Sequence, residues 1–401
     1  MSTNDQPRIR LKAKEERRLK GGHLWVYSNE VDTAVTPLQD LTPGLEVVFE
    51  EASGRPLGRG YANPHSLICG RLLTRDWKQP LNRKFLTQRL QQALALREQV
   101  YGKPYYRLVY GDSDGLSGLV VDRYGDYLVA QLNTAGMERL RELLQAALET
   151  VLAPRGILWR NDSPLREQEG LTAEVAVARG PWPDILRLEE NGVEFQVPAS
   201  SGQKTGWFYD HRDNRRELTR WVAGRRVLDV FAYLGGWGLQ ALAAGASELA
   251  AVDASEPALD QLQANADQQG VGGRVTTYQG NAFAVLEALL EQGQKFDVVV
   301  LDPPAFIKRK KDFKTGLAAY QKLNSLGLRL LQRGGLLVSA SCSMQLPEAT
   351  LLDTVRGAAR HVDRHLQLVH RGTQGADHPV HPAMVETQYL KALFFRVTAA
   401  L

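Results

Sequence analysis

The sequence predicts a multidomain α/β protein in which a small β module and a compact α+β unit precede an open, mostly parallel sheet covered by helices. Three observations predict it: short β-like segments up to about Thr74, a hairpin, helix and strand pattern up to about Gly180, and a regular alternation of apolar strands and amphipathic helices from about Pro181 onward. A length of 401 residues suits two or three domains. Boundaries are accordingly expected at residues 1–74, 75–180 and 181–401.

In the first segment Leu45-Glu46-Val47-Val48-Phe49 alternates imperfectly as a strand, Gly54-Arg55-Pro56, Gly58 and Asn63-Pro64 supply turns, and Ser66-Leu67-Ile68-Cys69 is a further apolar stretch. In the second, residues 81–101 have helical periodicity, and residues 119–121 and 127–130 flank a turn at Asp122-Arg123-Tyr124-Gly125. A second amphipathic run at 137–152 ends at Pro154, and Gly156-Ile157-Leu158-Trp159 starts another strand. In the third, strands are expected at 227–231, 248–252, 275–278, 296–301, 335–340 and 390–397, with helices at 238–244, 257–269, 282–292 and 318–331. That alternation puts ligands at the carboxyl ends of the strands.

Composition narrows the classes. With 43% hydrophobic residues and only two cysteines, the chain is neither disordered nor a disulfide scaffold, and a cysteine-rich zinc or iron–sulfur site is excluded, so no metal is expected. No apolar run reaches the ~18 residues that span a bilayer, and residues 1–20 are too polar for a signal peptide, which points to the cytoplasm and away from membranes. The formal charge is +4, and seven cations against three acids within the first 20 residues account for the whole excess. Arg8, Lys12, Arg17 and Lys20 are candidate phosphate contacts in that segment; a second cluster stands at Lys308, Arg309, Lys310, Lys311 and Lys314.

The first strand of the third segment runs into Leu228-Asp229-Val230-Phe231-Ala232-Tyr233-Leu234-Gly235-Gly236-Trp237-Gly238 and then a helix, so a tight turn brings backbone and helix N–H groups close to a ligand. Gly236 to Ala241 also fits the dinucleotide pattern G-x-G-x-x-A, a weak match alone. Two details favour S-adenosylmethionine over NAD. Asp229 precedes the glycines, where it would receive an ammonium but repel a pyrophosphate, and the fourth strand ends in the rigid acidic turn Asp302-Pro303-Pro304. At the second strand end, Asp253-Ala254-Ser255 offers a carboxylate for ribose hydroxyls. Capping or turn chemistry would explain Asp229 or Asp253 singly; three acids at successive strand ends argue for a binding site.

Cys342, inside Ser341-Cys342-Ser343, also stands at a strand's carboxyl end, whereas Cys69 reads as a buried small hydrophobe. A pyrimidine's carbon 5 accepts a methyl group only after a thiolate adds at carbon 6, so Cys342 is the candidate nucleophile. Asp302, if protonated, could donate to cytosine N3, and its acceptor oxygen or the prolines' neighbouring backbone could take the exocyclic amine. The residues do not name the base that removes the carbon-5 proton.

Val227-Leu228-Asp229-Val230-Phe231 with its Gly-Gly turn, Leu301-Asp302-Pro303-Pro304-Ala305-Phe306, Ser341-Cys342-Ser343, Ala376-Asp377-His378-Pro379-Val380, the segment Gly202 to Arg215 and Gly22-His23-Leu24-Trp25-Val26-Tyr27-Ser28-Asn29-Glu30 together resemble the bacterial RlmI-like large-subunit rRNA cytosine methyltransferases. The resemblance covers nearly the whole chain. It implies an N-terminal PUA-like small β-barrel, a central α+β domain and a C-terminal Rossmann-like class I methyltransferase domain with a mostly parallel seven-stranded sheet. It also implies Cys342 as nucleophile, Asp302 beside the base, and S-adenosylmethionine contacts at Asp229, Phe231, Ala232, Tyr233, Gly235, Gly236, Asp253, Ala254, Ser255, Asn281, Ala282 and Asp302. Phe208, Asp210 and Arg212 are further candidate cofactor contacts, with Lys204, Pro303, Pro304 and Phe306 on the RNA side. Asn281 stands where many methyltransferases have an acid to read the adenine amine, a bond its side-chain oxygen is expected still to accept, and Ala305 follows Asp-Pro-Pro where the two-cysteine RNA methyltransferases have a cysteine.

The implied partner is 23S rRNA or a pre-ribosomal particle, with a homodimer left open. A flipped cytosine would enter between Cys342 and the sulfonium, with Phe306 stacking or in the core and His378-Pro379 closing the pocket or forming a turn. Two alternatives stay open: methylation of a base amino group by the Asp-Pro-Pro motif, and a non-catalytic ribosome-assembly factor. An NAD dehydrogenase ranks last, because no hydride-transfer acid/base pair accompanies the glycines.

Overall fold

Residues 7–200 and 205–399 are described by the structure, a computed structural model. The chain groups into two units. One comprises Met1–Arg187, Pro198–Tyr209 and Ala376–Thr387, the other Leu188–Val197, Asp210–Gly375 and Gln388–Leu401.

The first unit contains two sheets. Strands β1 (Arg8–Arg10), β2 (Trp25–Val26), β3 (Leu45–Glu50), β4 (Pro56–Ala62) and β5 (Gly70–Thr74) lie in the order β1-β3-β4-β5-β2, closed over Ile9, Val26, Val47, Phe49 and Leu72. The apolar stretch at 66–69 forms a turn: Leu67 is 80% exposed, and the strand starts only at Gly70. Cys69 is fully buried in this core, and burial pushes its thiol up to about 12.

The second sheet has the order β10-β9-β8-β7-β6, from β6 (Tyr105–Tyr110), β7 (Leu119–Tyr124), β8 (Tyr127–Leu132), β9 (Gly156–Asn161) and β10 (Glu174–Arg179), and shares its core with the helices Arg83–Val100 and Arg141–Leu152. Asn82 caps the first of these by accepting from the Phe85 N–H at 3.0 Å. The single helix expected at 137–152 is instead two, Ala135–Arg139 and Arg141–Leu152, because Leu140 leaves the helical region at ψ 4°. Tyr61 ties the two sheets, its hydroxyl 2.7 Å from the Ser117 carbonyl oxygen and 2.8 Å from Thr134 Oγ1.

In the second unit a seven-stranded sheet runs β15-β14-β13-β16-β17-β19-β18. Its strands are β13 (Arg226–Val230), β14 (Glu248–Asp253), β15 (Val275–Gln279), β16 (Phe296–Leu301), β17 (Leu331–Ser341), β18 (Arg364–Gly372) and β19 (Lys391–Ala399), preceded in the chain by the hairpin of β11 (Ile185–Glu190) and β12 (Val193–Pro198). β13 to β17 are parallel, while β19 is antiparallel to both of its neighbours. All-apolar runs such as Val298-Val299-Val300-Leu301 suit strands covered on both faces, here by the helices Gly236–Ala243, Glu256–Gln268, Ala282–Glu291, Phe313–Leu330 and Glu348–His361. The six strands expected from the sequence are present. β18 and the helix Glu348–His361 are additional: β18 is an edge strand with polar residues alternating outward, so it lacks the apolar run that marks its neighbours.

Candidate active site

The carboxyl ends of β13, β14, β16 and β17 bring the predicted acids and Cys342 to one edge of a sheet. β13 passes into a loop in which Phe231, Tyr233 and Gly235 all have positive φ, at 69°, 49° and 86°. Two non-glycine residues in that region are costly and mark a backbone held in shape by its surroundings. At Gly235 a Cβ would stand 2.8 Å from Leu239 and 2.9 Å from Leu262, so only glycine fits. Asp229 is fully buried behind this loop; its Oδ2 accepts from the Gly238 N–H at 3.0 Å and, among the described residues, its Oδ1 has no partner. Burial raises its carboxyl to about 7, against the lowering effect of the Gly238 amide. An orphaned buried acceptor beside a glycine loop suits an ammonium donor, which S-adenosylmethionine carries.

Asp302, which follows β16, has the opposite setting. Trp237 Nε1 donates to its Oδ2 at 3.0 Å, and His211 Nε2 lies 3.2 Å from its Oδ1. Asn214 fixes the histidine: its Nδ2 donates to the Thr373 carbonyl and to His211 Nδ1, both at 3.0 Å, which leaves the proton on Nε2, facing Asp302. Burial alone would raise the Asp302 carboxyl, but His211 and the Trp237 N–H outweigh it and hold it below its ordinary value. That direction favours, of the two expected roles, the ionised acceptor over the protonated donor.

Cys342 is half-buried after β17, its Sγ 4.0 Å from the Pro303 carbonyl oxygen. The serines on either side hold the turn. Ser341 Oγ is 2.8 Å from the Tyr320 hydroxyl, and Ser343 Oγ accepts from the Ile307 N–H at 3.2 Å and donates to the Ile307 carbonyl at 3.1 Å. Pro303 is buried and Pro304 exposed. Phe306 packs between Tyr320, Phe283 and Phe231 at centroid distances of 4.9, 6.1 and 6.4 Å, a partly buried aromatic in both the core and the site edge.

The remaining predicted residues divide. Asp253 already accepts from the Tyr233 and Ser255 amides, each at 2.9 Å, one per oxygen, so each oxygen keeps a lone pair for a ribose hydroxyl. Ser255 caps the next helix, with the exposed Ala254 between them. Asn281 caps the helix that starts at the buried Ala282, accepting from Phe283 and Ala284 at 3.0 and 3.4 Å, so its oxygen is committed to the backbone. The Ala232 amide donates 3.0 Å to Val252, and a Cβ on Gly236 would meet the Arg215 guanidinium at 2.9 Å. Asp210 accepts from the Tyr389 hydroxyl at 2.5 Å, and Arg212 lies 3.7 Å from the buried Glu190. Phe208 belongs to the first unit, as does the pair formed by Asp377 and His378, whose Nδ1 is 2.8 Å from Asp377 Oδ1. Lys204 lies outside the described residues.

The two cationic segments differ. Arg8 pairs with the buried Glu50, Lys20 pairs with Glu51 at 2.9 Å, Lys12 donates to the Asn29 carbonyl, and Arg17 is exposed. Lys308, Arg309 and Lys310 are all exposed, and Arg309 pairs with Asp312 at 3.4 Å.

Sequence reasoning assigned no role to His211, Trp237 or Lys391. His211 and Trp237 become visible only when the fold brings them across 91 and 65 positions to Asp302. Lys391 carried a readable signal, a lone cation opening the apolar strand Ala392-Leu393-Phe394-Phe395.

Comparison with known proteins places this geometry in a family. Residues 9–75 match the PUA-like domain, and residues 175–396 match the S-adenosylmethionine-dependent methyltransferase family. The ribosomal RNA large subunit methyltransferase I of Photobacterium profundum is 36% identical over 381 residues, covering 94% of this chain and 96% of that protein. That of Shewanella denitrificans is 36% identical over 395 residues, covering 97% and 99%. The fold is shared with a Streptococcus mutans protein described as a SAM-dependent methyltransferase, at a TM-score of 0.81 and 20% identity over 97% of this chain and 100% of that one. No helix among the described residues is long and apolar enough to cross a membrane. The chain belongs to the ribosomal RNA large subunit methyltransferase I family and is a S-adenosylmethionine-dependent methyltransferase.

Proposed function

We propose that this protein methylates carbon 5 of a cytidine in large-subunit ribosomal RNA, with Cys342 as the nucleophile and Asp302 as the residue that orients the base. The observation that carries the reading is the half-buried Cys342 thiol beside Pro303, at the same strand edge as Asp302 and Asp229. Bound S-adenosylmethionine supplies a methyl group on a sulfonium. Asp229 Oδ1 would take the ammonium of that cofactor, Asp253 its ribose, and the loop from Phe231 to Gly236 its backbone contacts.

Cys342 Sγ adds to carbon 6, forming the S–C bond and pushing the double-bond electrons to carbon 5, which then takes the methyl group. Removal of the carbon-5 proton returns the electrons, and the S–C bond breaks to regenerate the thiolate. Asp302, ionised and held on both oxygens, accepts from the exocyclic amine, and its fixed position sets the ring relative to Sγ. Asn281, with its oxygen used as a cap, has only its amide donors to offer an adenine ring nitrogen.

The RNA-binding reading rests on the exposed Lys308, Arg309 and Lys310 beside the Asp302 turn, with the module at residues 1–74 positioning the substrate and residues 75–180 linking it to the methyltransferase domain at 181–401. The deciding experiment is bisulfite mapping of 23S rRNA from a deletion strain carrying either the wild-type or a Cys342→Ala copy. The expected result is one cytidine that regains its methyl group only with wild type. A Cys342→Ala copy that restores it fully would transfer the reading to amino-group methylation by the Asp-Pro-Pro turn.

A further inference from the structure

Lys391 stands where a charged residue needs a reason. It is 9% exposed at the start of β19, between the buried Leu390 and Ala392. Its backbone is the cross-strand partner of Ser341, and its Nζ donates 2.6 Å to the carbonyl oxygen of Ser343. The lysine therefore brackets Cys342 from both sides of the turn. Among the described residues no carboxylate lies within ion-pair distance of Nζ, although a buried ammonium without a counter-charge is unfavourable.

We propose that Lys391 ionises Cys342: its ammonium, anchored on the Ser343 carbonyl, is the counter-ion of the thiolate, and the Sγ proton leaves to solvent as S–H breaks. This rests on the reading of Cys342 as nucleophile and supplies the activation which that reading lacks. The groups that act on Lys391 are few. Cys342 after β17 exerts the largest opposing influence to burial, followed by Glu348 at the start of the helix Glu348–His361, whose carboxylate is paired with Arg371 of β18. Tyr320, from the helix Phe313–Leu330, faces the same turn with its hydroxyl bound to Ser341 and Ser343, and burial raises its own titration. Burial brings Lys391 down to about 8, so at neutral pH it is still largely an ammonium and can serve as the counter-ion.

The test is iodoacetamide alkylation of the full-length protein between pH 5.5 and 10, with the rate at Cys342 followed by peptide mass spectrometry. The buried Cys69 does not contribute to that peptide. The expected wild-type midpoint lies about one unit or more below the ordinary thiol value, and Lys391→Met raises it by at least as much, slowing alkylation about tenfold at pH 7. Lys391→Arg, which keeps the counter-ion, should retain a lowered midpoint. A wild-type midpoint at or above the ordinary value overturns the proposal without any variant. So does a Lys391→Met protein that binds S-adenosylmethionine normally and keeps the wild-type midpoint. Alkylation does not require turnover, so an active Cys342→Ala enzyme would refute the nucleophile while leaving this coupling measurable.

Discussion

Asp229 and Asp302 end neighbouring strands of one sheet, yet their carboxyls move in opposite directions. Among the described residues Asp229 has one amide donor and an oxygen with no partner, and burial raises it to about 7. Asp302 is held by Trp237 on one oxygen and faced by His211 on the other, and it falls below its ordinary value. Burial alone does not decide the charge of an acid in this site; the number of donors left after burial does. On the proposed reading, the starved acid receives the cofactor's ammonium and the satisfied one stays charged and fixed.

The largest effect that would sharpen this contrast is on turnover. Asp302→Asn removes the ionised acceptor and should lower kcat by about 10²-fold or more in a tritiated-methyl transfer assay, with cofactor affinity nearly unchanged. A weakened cofactor instead would merge the two roles and break the comparison. Next, Asp229→Asn should weaken S-adenosylmethionine binding by about 10- to 100-fold in calorimetry. Wild-type affinity should rise from pH 5.5 to 7.5, as Asp229 ionises near 7, and the variant should lose that rise.

A smaller change is expected from Trp237→Phe or His211→Ala. Each takes a lowering influence from Asp302, so the acid limb of the kcat profile should move to higher pH by about one unit. An unmoved limb in both variants would mean that neither group sets the charge of Asp302. The smallest effect concerns stability. A raised acid such as Asp229 favours the folded state below its unfolded value of 3.8 and loses that contribution as pH rises through about 7. Asp302 does the reverse, contributing above its ordinary value and losing it as pH falls through its lowered one. Thermal melts between pH 4 and 7.5 should therefore show Asp229→Asn gaining on wild type as pH rises.

The strands and the acids at their ends were legible because parallel strands buried on both faces read as unbroken apolar runs, and their carboxyl ends are where such sheets bind ligands. Asp229, Asp253, Asp302 and Cys342 follow from that rule alone. What was not legible depends on partners far apart in sequence. That Asp302 is ionised follows from His211 and Trp237, which no local spacing connects to it. The ion pairs of Arg8 and Lys20 were not legible because their carboxylate partners, Glu50 and Glu51, lie 42 and 31 positions later. Likewise β18, polar on alternate residues at the sheet's edge, carries no apolar run to announce it.

The reversal of β19 has a practical side. Because this last strand enters at Lys391, level with Ser341, and runs back past Leu336 opposite Arg396, the chain leaves the sheet at the amino ends of the parallel strands. A fluorophore or surface tether placed at Ala399 would stand at the amino ends of the parallel strands, away from the edge that holds Cys342, and so suits single-molecule work on that edge.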